Sequence, residues 1–389
     1  MDFDSLLTDR VLGIDASGVR RAFDLAASLE DPINLSIGLP HFDVPEAVKA
    51  EAQAAIGRGM NRYTPTQGLG ELRERVMAEL MTGYPETLVA SGGGAGGVRG
   101  WPEDTGLLIT SGVSGGLMLL MLSVLQPGDE VLIPDPFFVM YKHLVTLSGA
   151  TPVYVDTYPD FRLTAERVEP LITERTKLLL LNSPGNPTGV VSTQGEIDAL
   201  SALCTERGVL LCSDEIYDLF TFDEGELPSP LRTTRHAVVL RGFSKTYAMT
   251  GWRLGYAFGP RAVLEQMTKL QQYSFVCAPS TAQSAGVVAM DADVSGYVAE
   301  YRARRDRVVE RLSGLYELTA PGGAFYAFPK VPEHLGMTGT QFTESLIERN
   351  VICIGGGVFS QRDTHFRISY ACDEDTLERG LDVLVSVVN

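Results

Sequence analysis

Four polar stretches in this 389-residue chain follow directly on apolar runs, and they hold the side chains best suited to chemistry. After LLIT comes Ser111-Gly112-Val113-Ser114-Gly115-Gly116, and after KLLLL comes Asn182-Ser183-Pro184-Gly185-Asn186-Pro187-Thr188-Gly189. After GVLLC come Asp214 and Tyr217, and after AVVLRGF comes Ser244-Lys245. The first stretch can aim backbone N–H groups and the dipole of a following helix at a phosphate. Asn186 in N-P-T-G also reads as a plain turn residue, and Asp214 as a helix N-cap, so neither speaks alone. Lys245 is harder to explain as structure, because an ammonium buried at the end of an apolar strand without a purpose costs several kcal/mol.

The elements that must position these residues read as a mostly parallel α/β sheet. Apolar runs recur at LLIT (107–110), EVLIP (130–134), TPVYV (151–155), KLLLLN (177–182), GVLLCSDE (208–215), AVVLRGF (237–243) and LGYAFG (254–259). Most are continuous rather than alternating, and helical patterns such as Gln194–Arg207 separate several of them, as expected of strands covered by helices on both faces. In such a sheet ligands bind at the carboxyl ends of the strands, where the four polar stretches lie. The last third changes character. SGYVAEYRARRDRVVERLSGLYE predicts a long amphipathic helix with its RARRDR run on a solvated face, and GGAFYAF and HFRISYA predict strands of a smaller sheet. The expected organisation is a large domain over 41–280, a small C-terminal domain over 281–389, and a segment 1–40 that packs with the small domain.

Composition excludes several classes. The length predicts two to three domains with a substantial core. With 32 basic and 49 acidic residues the net charge is −17, which opposes a phosphate backbone, so no nucleic-acid partner is expected. Cys204, Cys212, Cys277, Cys353 and Cys372 never form a C-x-x-C pair, which predicts buried free thiols, no metal site and a reducing, cytoplasmic setting. MDFDSLLTDR lacks the basic start and apolar run of a secretory signal. Residues 105–128 carry no charge and are long enough to span a bilayer, but the polar TSGVSGG within them predicts a short strand and a helix start, and hence no membrane span. SGGGAGGVRG (91–100) satisfies G-x-G-x-x-G through Gly92, Gly94 and Gly97. Trp101-Pro102 follows where a dinucleotide fingerprint needs a helix, so a surface loop is expected there.

Together the polar stretches resemble one family. GFSKTYAMTGWRLG (242–255) is similar to the lysine signature of class I and II aminotransferases, members of the fold type I pyridoxal-phosphate enzymes. The resemblance extends over nearly the whole chain, through Tyr63-Thr64-Pro65 followed by GLGELRERV, then GDEVLIPDPFFVMY, NSPGNPTG, SDEIY, GGAFYAF and FRISYA. It implies a mostly parallel seven-stranded sheet in a large domain beside a smaller α+β domain. It also implies pyridoxal 5′-phosphate as cofactor, amino acid and 2-oxo acid substrates used in a ping-pong cycle, and a homodimer with shared active sites.

The resemblance also assigns roles. Lys245 is implied to hold the cofactor as a Schiff base and to shuttle the substrate proton. Asp214 matches the partner of the pyridine nitrogen, and Asn186 and Tyr217 the groups that hydrogen-bond the ring hydroxyl oxygen. Ser111, Gly112, Val113, Ser244 and Arg253 are implied to form the phosphate cup, and Tyr63 to reach the phosphate of the neighbouring subunit. Phe138 occupies the position of the ring that stacks on the cofactor, with adjacent Phe137 leaving a one-residue ambiguity. Arg367 matches the bidentate clamp on the substrate α-carboxylate, and Gly38 a backbone position beside the substrate.

One departure bears on the substrate. Where bacterial aspartate aminotransferases carry a lysine in the turn after the first of these strands, this chain has Ser114, which weakens strict aspartate specificity. Arg99 or another residue of the Gly-rich insertion is a candidate replacement. The expected activity is amino transfer with acidic, neutral or aromatic side chains. The alternative is a carbon–sulfur β-lyase or related eliminating synthase on the same fold. A ligand-sensing domain of a transcription regulator is disfavoured, since no DNA-binding module fits ahead of Asn34.

Overall fold

The seven apolar runs become seven strands of one sheet. In this computed structural model, which describes residues 3–16, 18–19, 27–89, 101–223 and 225–388, the strands in chain order are β1 (Ile33–Asn34), β2 (Thr105–Thr110), β3 (Glu130–Asp135), β4 (Thr151–Asp156), β5 (Thr176–Asn182), β6 (Leu210–Asp214), β7 (Val238–Gly242), β8 (Gly255–Pro260), β9 (Tyr326–Ala327), β10 (Val351–Ile352), β11 (Ile354–Gly355) and β12 (Phe366–Ser369). The large sheet runs β2-β8-β7-β6-β5-β3-β4, with β8 antiparallel to both neighbours and every other pair parallel. The runs are continuous because both faces are covered. Leu178 and Leu180 enter one core while Leu179 and Leu181 enter another, and Leu108 likewise parts from Leu107 and Ile109. The Gly-rich stretch and Arg99 lie outside the described residues.

The uncharged stretch divides as its glycines predict. β2 ends at Thr110, Gly112 takes a left-handed φ of 68°, and the helix Gly112–Val124 begins there. Among the described residues no helix is long and apolar enough to cross a membrane. The helix Gln194–Arg207 appears at its predicted bounds, opened by a capping box of Thr193 and Glu196 and closed by left-handed Gly208.

A three-stranded antiparallel sheet, β11-β12-β9, forms from the C-terminal part. β1 pairs in parallel with β10, Ile33 opposite Val351, so Ile33 and Leu35 share a core with Phe325, Phe366 and Leu381. GGAFYAF contributes only the two residues of β9, because its preceding backbone bonds elsewhere. Gly323 N–H donates to Gly189 O at 2.9 Å and Ala324 N–H to Phe220 O at 2.8 Å, which docks this segment against loops of the large sheet.

The basic run is a solvated face, as expected, except at Arg305. It lies on the helix Ser295–Leu312, but Arg305 shares the buried face of Tyr301, Val308 and Leu312. Arg305 donates to both carboxylate oxygens of Asp223, at 2.7 and 3.0 Å, and to Pro321 O. Arg307 and Arg311 both reach Glu378 on the packed helix Glu374–Ser386. The charges are knotted between elements because two helices bring opposite signs together. The five cysteines are free, and only Cys204, Cys212 and Cys353 are buried, the other two being half-buried.

Candidate active site

The carboxyl ends of β5, β6 and β7 open onto a cavity of about 350 Å³, a volume suited to a small ligand. Lys245 enters it from the single helical turn Phe243–Thr246 that follows β7. Its Nζ donates to Gly38 O at 2.6 Å. Removal from water, and then the guanidiniums of Arg367 and Arg253, bring the ammonium down to about 8. A neutral amine is thereby accessible near neutral pH, as a nucleophile requires.

Asp214 closes β6 and is 3% exposed. Tyr141 Oη donates to its Oδ2 at 2.7 Å and Ile216 N–H to its Oδ1 at 3.2 Å. Burial pushes this carboxyl up to about 6 in spite of those donors. Asn182, at the end of β5, ties two site residues to one frame. Its Nδ2 donates to Asp214 O at 3.0 Å and its Oδ1 accepts from Asn186 N–H at 2.9 Å. Asn186 is therefore more than a turn residue, since its Oδ1 in turn accepts from Arg367 Nη1 at 2.9 Å.

Arg367 sits in β12, 2% exposed, with its guanidinium 4.5 and 4.6 Å from the ring centroids of Tyr326 and Phe359. Its Nη2 donates to Ser36 O at 2.7 Å, and its buried Nε–H has no partner. A buried guanidinium held by neutral acceptors, with a free N–H, is set to receive an anion. Gly38 has to be glycine here, because a Cβ would stand 2.2 Å from the Tyr326 hydroxyl.

At the other end, Gly112 permits close approach of Arg253. A Cβ on Gly112 would lie 2.6 Å from Arg253 Nη2, so only glycine lets the guanidinium lie against the start of the helix Gly112–Val124. Arg253 is itself left-handed, with φ of 54°, and donates from Nη1 to Thr250 O. Ser111 makes no side-chain cap bond, which leaves the first N–H groups of the helix open to an anion. Val113, Ser114 and Ser244 line the cavity beside them.

The structure thus gathers Gly38, Val113, Phe138, Asn186, Asp214, Tyr217, Ser244, Lys245, Arg253 and Arg367 around one space, with Ser111 and Gly112 at its edge. Phe138 is the ring that lines it. Phe137 turns away, 1% exposed and stacked on Tyr154 at 5.2 Å. Tyr63 stays outside. It is 81% exposed and borders a separate groove with Phe275 and Pro279.

Sequence reasoning passed over Tyr141, Tyr326, Leu39 and Ile216, which also line the cavity. Tyr141 stands three residues after Phe138, one helical turn away, which was the available signal. Tyr326 was read only as part of a strand.

These residues fit pyridoxal phosphate. Among the described lining residues, three cations, Lys245, Arg253 and Arg367, face one carboxylate, Asp214, so an anionic ligand balances the site. The cradle of Gly112 and Arg253 suits a phosphate, and Asp214 suits a cationic ring nitrogen. The unpartnered Nε of Arg367 suits a carboxylate. Among the described residues, no three His, Cys, Asp or Glu side chains gather as metal ligands.

The family model described as "Aminotransferase class I and II" matches residues 30–384. The chain is 33% identical to a probable aspartate aminotransferase of Methanocaldococcus jannaschii, over 98% of this chain and 100% of that one. It is 35% identical to aromatic-amino-acid aminotransferase 2 of Thermococcus litoralis, over 98% of each. Among solved structures, the aspartate aminotransferase of Thermus thermophilus with maleate superposes with a TM-score of 0.89 at 34% identity, over 98% of this chain and 99% of that one.

Proposed function

We propose, from the premise that this chain belongs to the class I and II aminotransferases, that its amino transfer is carried by Lys245 set between Asp214 and Arg367. The protein is a pyridoxal-phosphate-dependent enzyme that moves an amino group from an L-amino acid to a 2-oxo acid in two half-reactions. When bound, pyridoxal phosphate supplies a carbonyl that condenses with amines and a ring that withdraws the electron pair left when the substrate Cα–H bond breaks.

The chain's own residues supply the rest. Ser111, Gly112, Val113, Ser244 and Arg253 would hold the phosphate, Asp214 the ring nitrogen, Asn186 and Tyr217 the ring oxygen, and Phe138 the ring face. Arg367 takes the substrate carboxylate and Gly38 flanks it. The neutral Nζ of Lys245 would accept the Cα proton as that bond breaks and hold it as the ammonium. The observation that carries this reading is the position of Lys245 Nζ, 2.6 Å from Gly38 O in the cavity that Asp214, Arg253 and Arg367 also line.

The apolar lining of Leu39, Leu117, Phe138 and Ile216, with Ser114 where a cation would select a second carboxylate, supports neutral and aromatic substrates beside acidic ones. Exposed Tyr63, Tyr273 and Phe275 support a homodimer in which Tyr63 of each protomer serves the site of its partner. The pairing of β1 with β10 supports assigning 1–40 to a small domain over 281–389, apart from a large domain over 41–280. Free cysteines support a cytoplasmic location.

The test is a half-reaction scan. Purified holoenzyme should be yellow, and the band of the Lys245-bound cofactor should fade with its preferred L-amino acid and return with a 2-oxo acid. Intact protein that stays colourless with added pyridoxal phosphate would overturn the reading, and steady release of ammonia without an amino acceptor would select the lyase instead.

A further inference from the structure

Arg367 is buried with neutral hydrogen-bond acceptors only, Asn186 Oδ1 and Ser36 O. Among the described residues two of its five N–H groups are used, and the buried Nε–H is without a partner. A guanidinium has many rotamers, so something other than ion pairing must hold this one in place at the cavity wall. The rings of Tyr326, 1% exposed, and Phe359, fully buried, both stand against it, with centroids 4.5 and 4.6 Å from its central carbon.

Tyr326 does more than cover a face. It belongs to β9, held opposite Ser369 of β12, so its ring is fixed to the strand that carries Arg367. Its hydroxyl lies 2.9 Å from the hydroxyl of Tyr217, and both are buried. A phenol has one proton to donate. If Tyr217 gives its proton to a ring oxygen of the cofactor, the proton between the two phenols must come from Tyr326, and that donation strengthens Tyr217 as a donor. Gly38, whose carbonyl holds Lys245, leaves room for this hydroxyl where any Cβ would collide with it.

We propose that Tyr326 is a positioning residue with two separable tasks: its ring keeps the Arg367 clamp flat for the substrate carboxylate, and its hydroxyl backs the proton donor Tyr217 on the cofactor side. This rests on the roles proposed for Arg367 and Tyr217.

Two variants separate the tasks. Tyr326→Phe keeps the ring and removes the hydroxyl. The pH midpoint of the absorbance band of the Lys245-bound cofactor should shift upward, because a weaker donor leaves the ring oxygen more basic, while KM for L-aspartate or L-phenylalanine stays within about twofold. Tyr326→Leu removes both, and KM should also rise roughly 10- to 30-fold, the size of a desolvated cation–π contact. A Phe variant without a midpoint shift, or with a KM rise equal to that of the Leu variant, overturns the proposal. Arg367→Lys is the control. If it raises KM while both Tyr326 variants behave as wild type, only this inference fails; if it leaves KM unchanged, the underlying assignment of Arg367 fails.

Discussion

Asp214 and Glu215 are carboxylic acids neighbouring in sequence and both buried, and they meet opposite surroundings. Glu215 is saturated. It accepts from Ser213 Oγ at 2.9 Å, Ser229 Oγ at 2.8 Å and Arg241 Nε at 2.9 Å, and Arg241 is held in turn by the Tyr84 hydroxyl and lies 5.4 Å from that ring. Asp214 has Tyr141 and one backbone N–H, and among the described residues no cation pairs with it. The cations divide the same way. Arg241, inside β7, is matched by Glu215, whereas Lys245, just past the end of β7, has only a carbonyl. A buried charge that the fold has completed is structure, and one left incomplete is reserved for a ligand.

That contrast can be broken experimentally. The largest effect is expected at Lys245. Lys245→Ala should cut the half-reaction rate by about 10⁴-fold or more in stopped-flow absorbance, with apoenzyme stability in urea at pH 7 retained or raised. Glu215→Gln should do the opposite, lowering apoenzyme stability by about 3–5 kcal/mol because it leaves Arg241 buried and unpaired. A loss under 1 kcal/mol would mean that this pair is not the structural member of the comparison.

Asp214→Asn sets the sign for its neighbour. The carboxyl is pushed up to about 6 in the folded chain, above its unfolded value. Folding is therefore unpenalised at low pH and loses stability as pH rises from the unfolded value through 6. At pH 8 the Asn variant should make the apoenzyme more stable by up to about 3 kcal/mol, while weakening pyridoxal phosphate binding measured by fluorescence.

Lys245 gives the matching pH profile. With its ammonium down to about 8, the neutral amine grows as pH rises to 8 and saturates above it. Cofactor capture by apoenzyme, followed at the rising absorbance band, should be about tenfold slower at pH 7 than on the plateau. A profile flat from 6 to 9 would sink this account. The smallest effect is expected from Ser114→Lys, which should raise activity on aspartate relative to phenylalanine by a few-fold, in the ratio of kcat/KM values.

Much of the site was legible in the chain because its residues follow their strands directly. Lys245, Asp214, Asn186 and the Ser111-Gly112 turn each stand at the end of a continuous apolar run. What escaped are contacts made across long separations. Tyr141 meets Asp214 from 73 residues away and Tyr326 meets Tyr217 from 109; the spacing of Tyr141 from Phe138 hints at a shared wall, but nothing local names the polar partner of either tyrosine. The burial of Arg305 within the RARRDR run escaped for the same reason, since its partner Asp223 comes from another element.

The sequence by itself determined the seven runs, the positions of the chemical groups at their ends and, through the resemblance of its motifs, the cofactor. It did so because strand burial and glycine-dependent turns are local properties of the chain. Only the tertiary structure decided which charges are closed and which stay open. Asp214 and Glu215 have nearly the same sequence surroundings, and the direction of each side chain, set by the alternation of the strand and by what packs on each face, makes one a scaffold and the other part of a site.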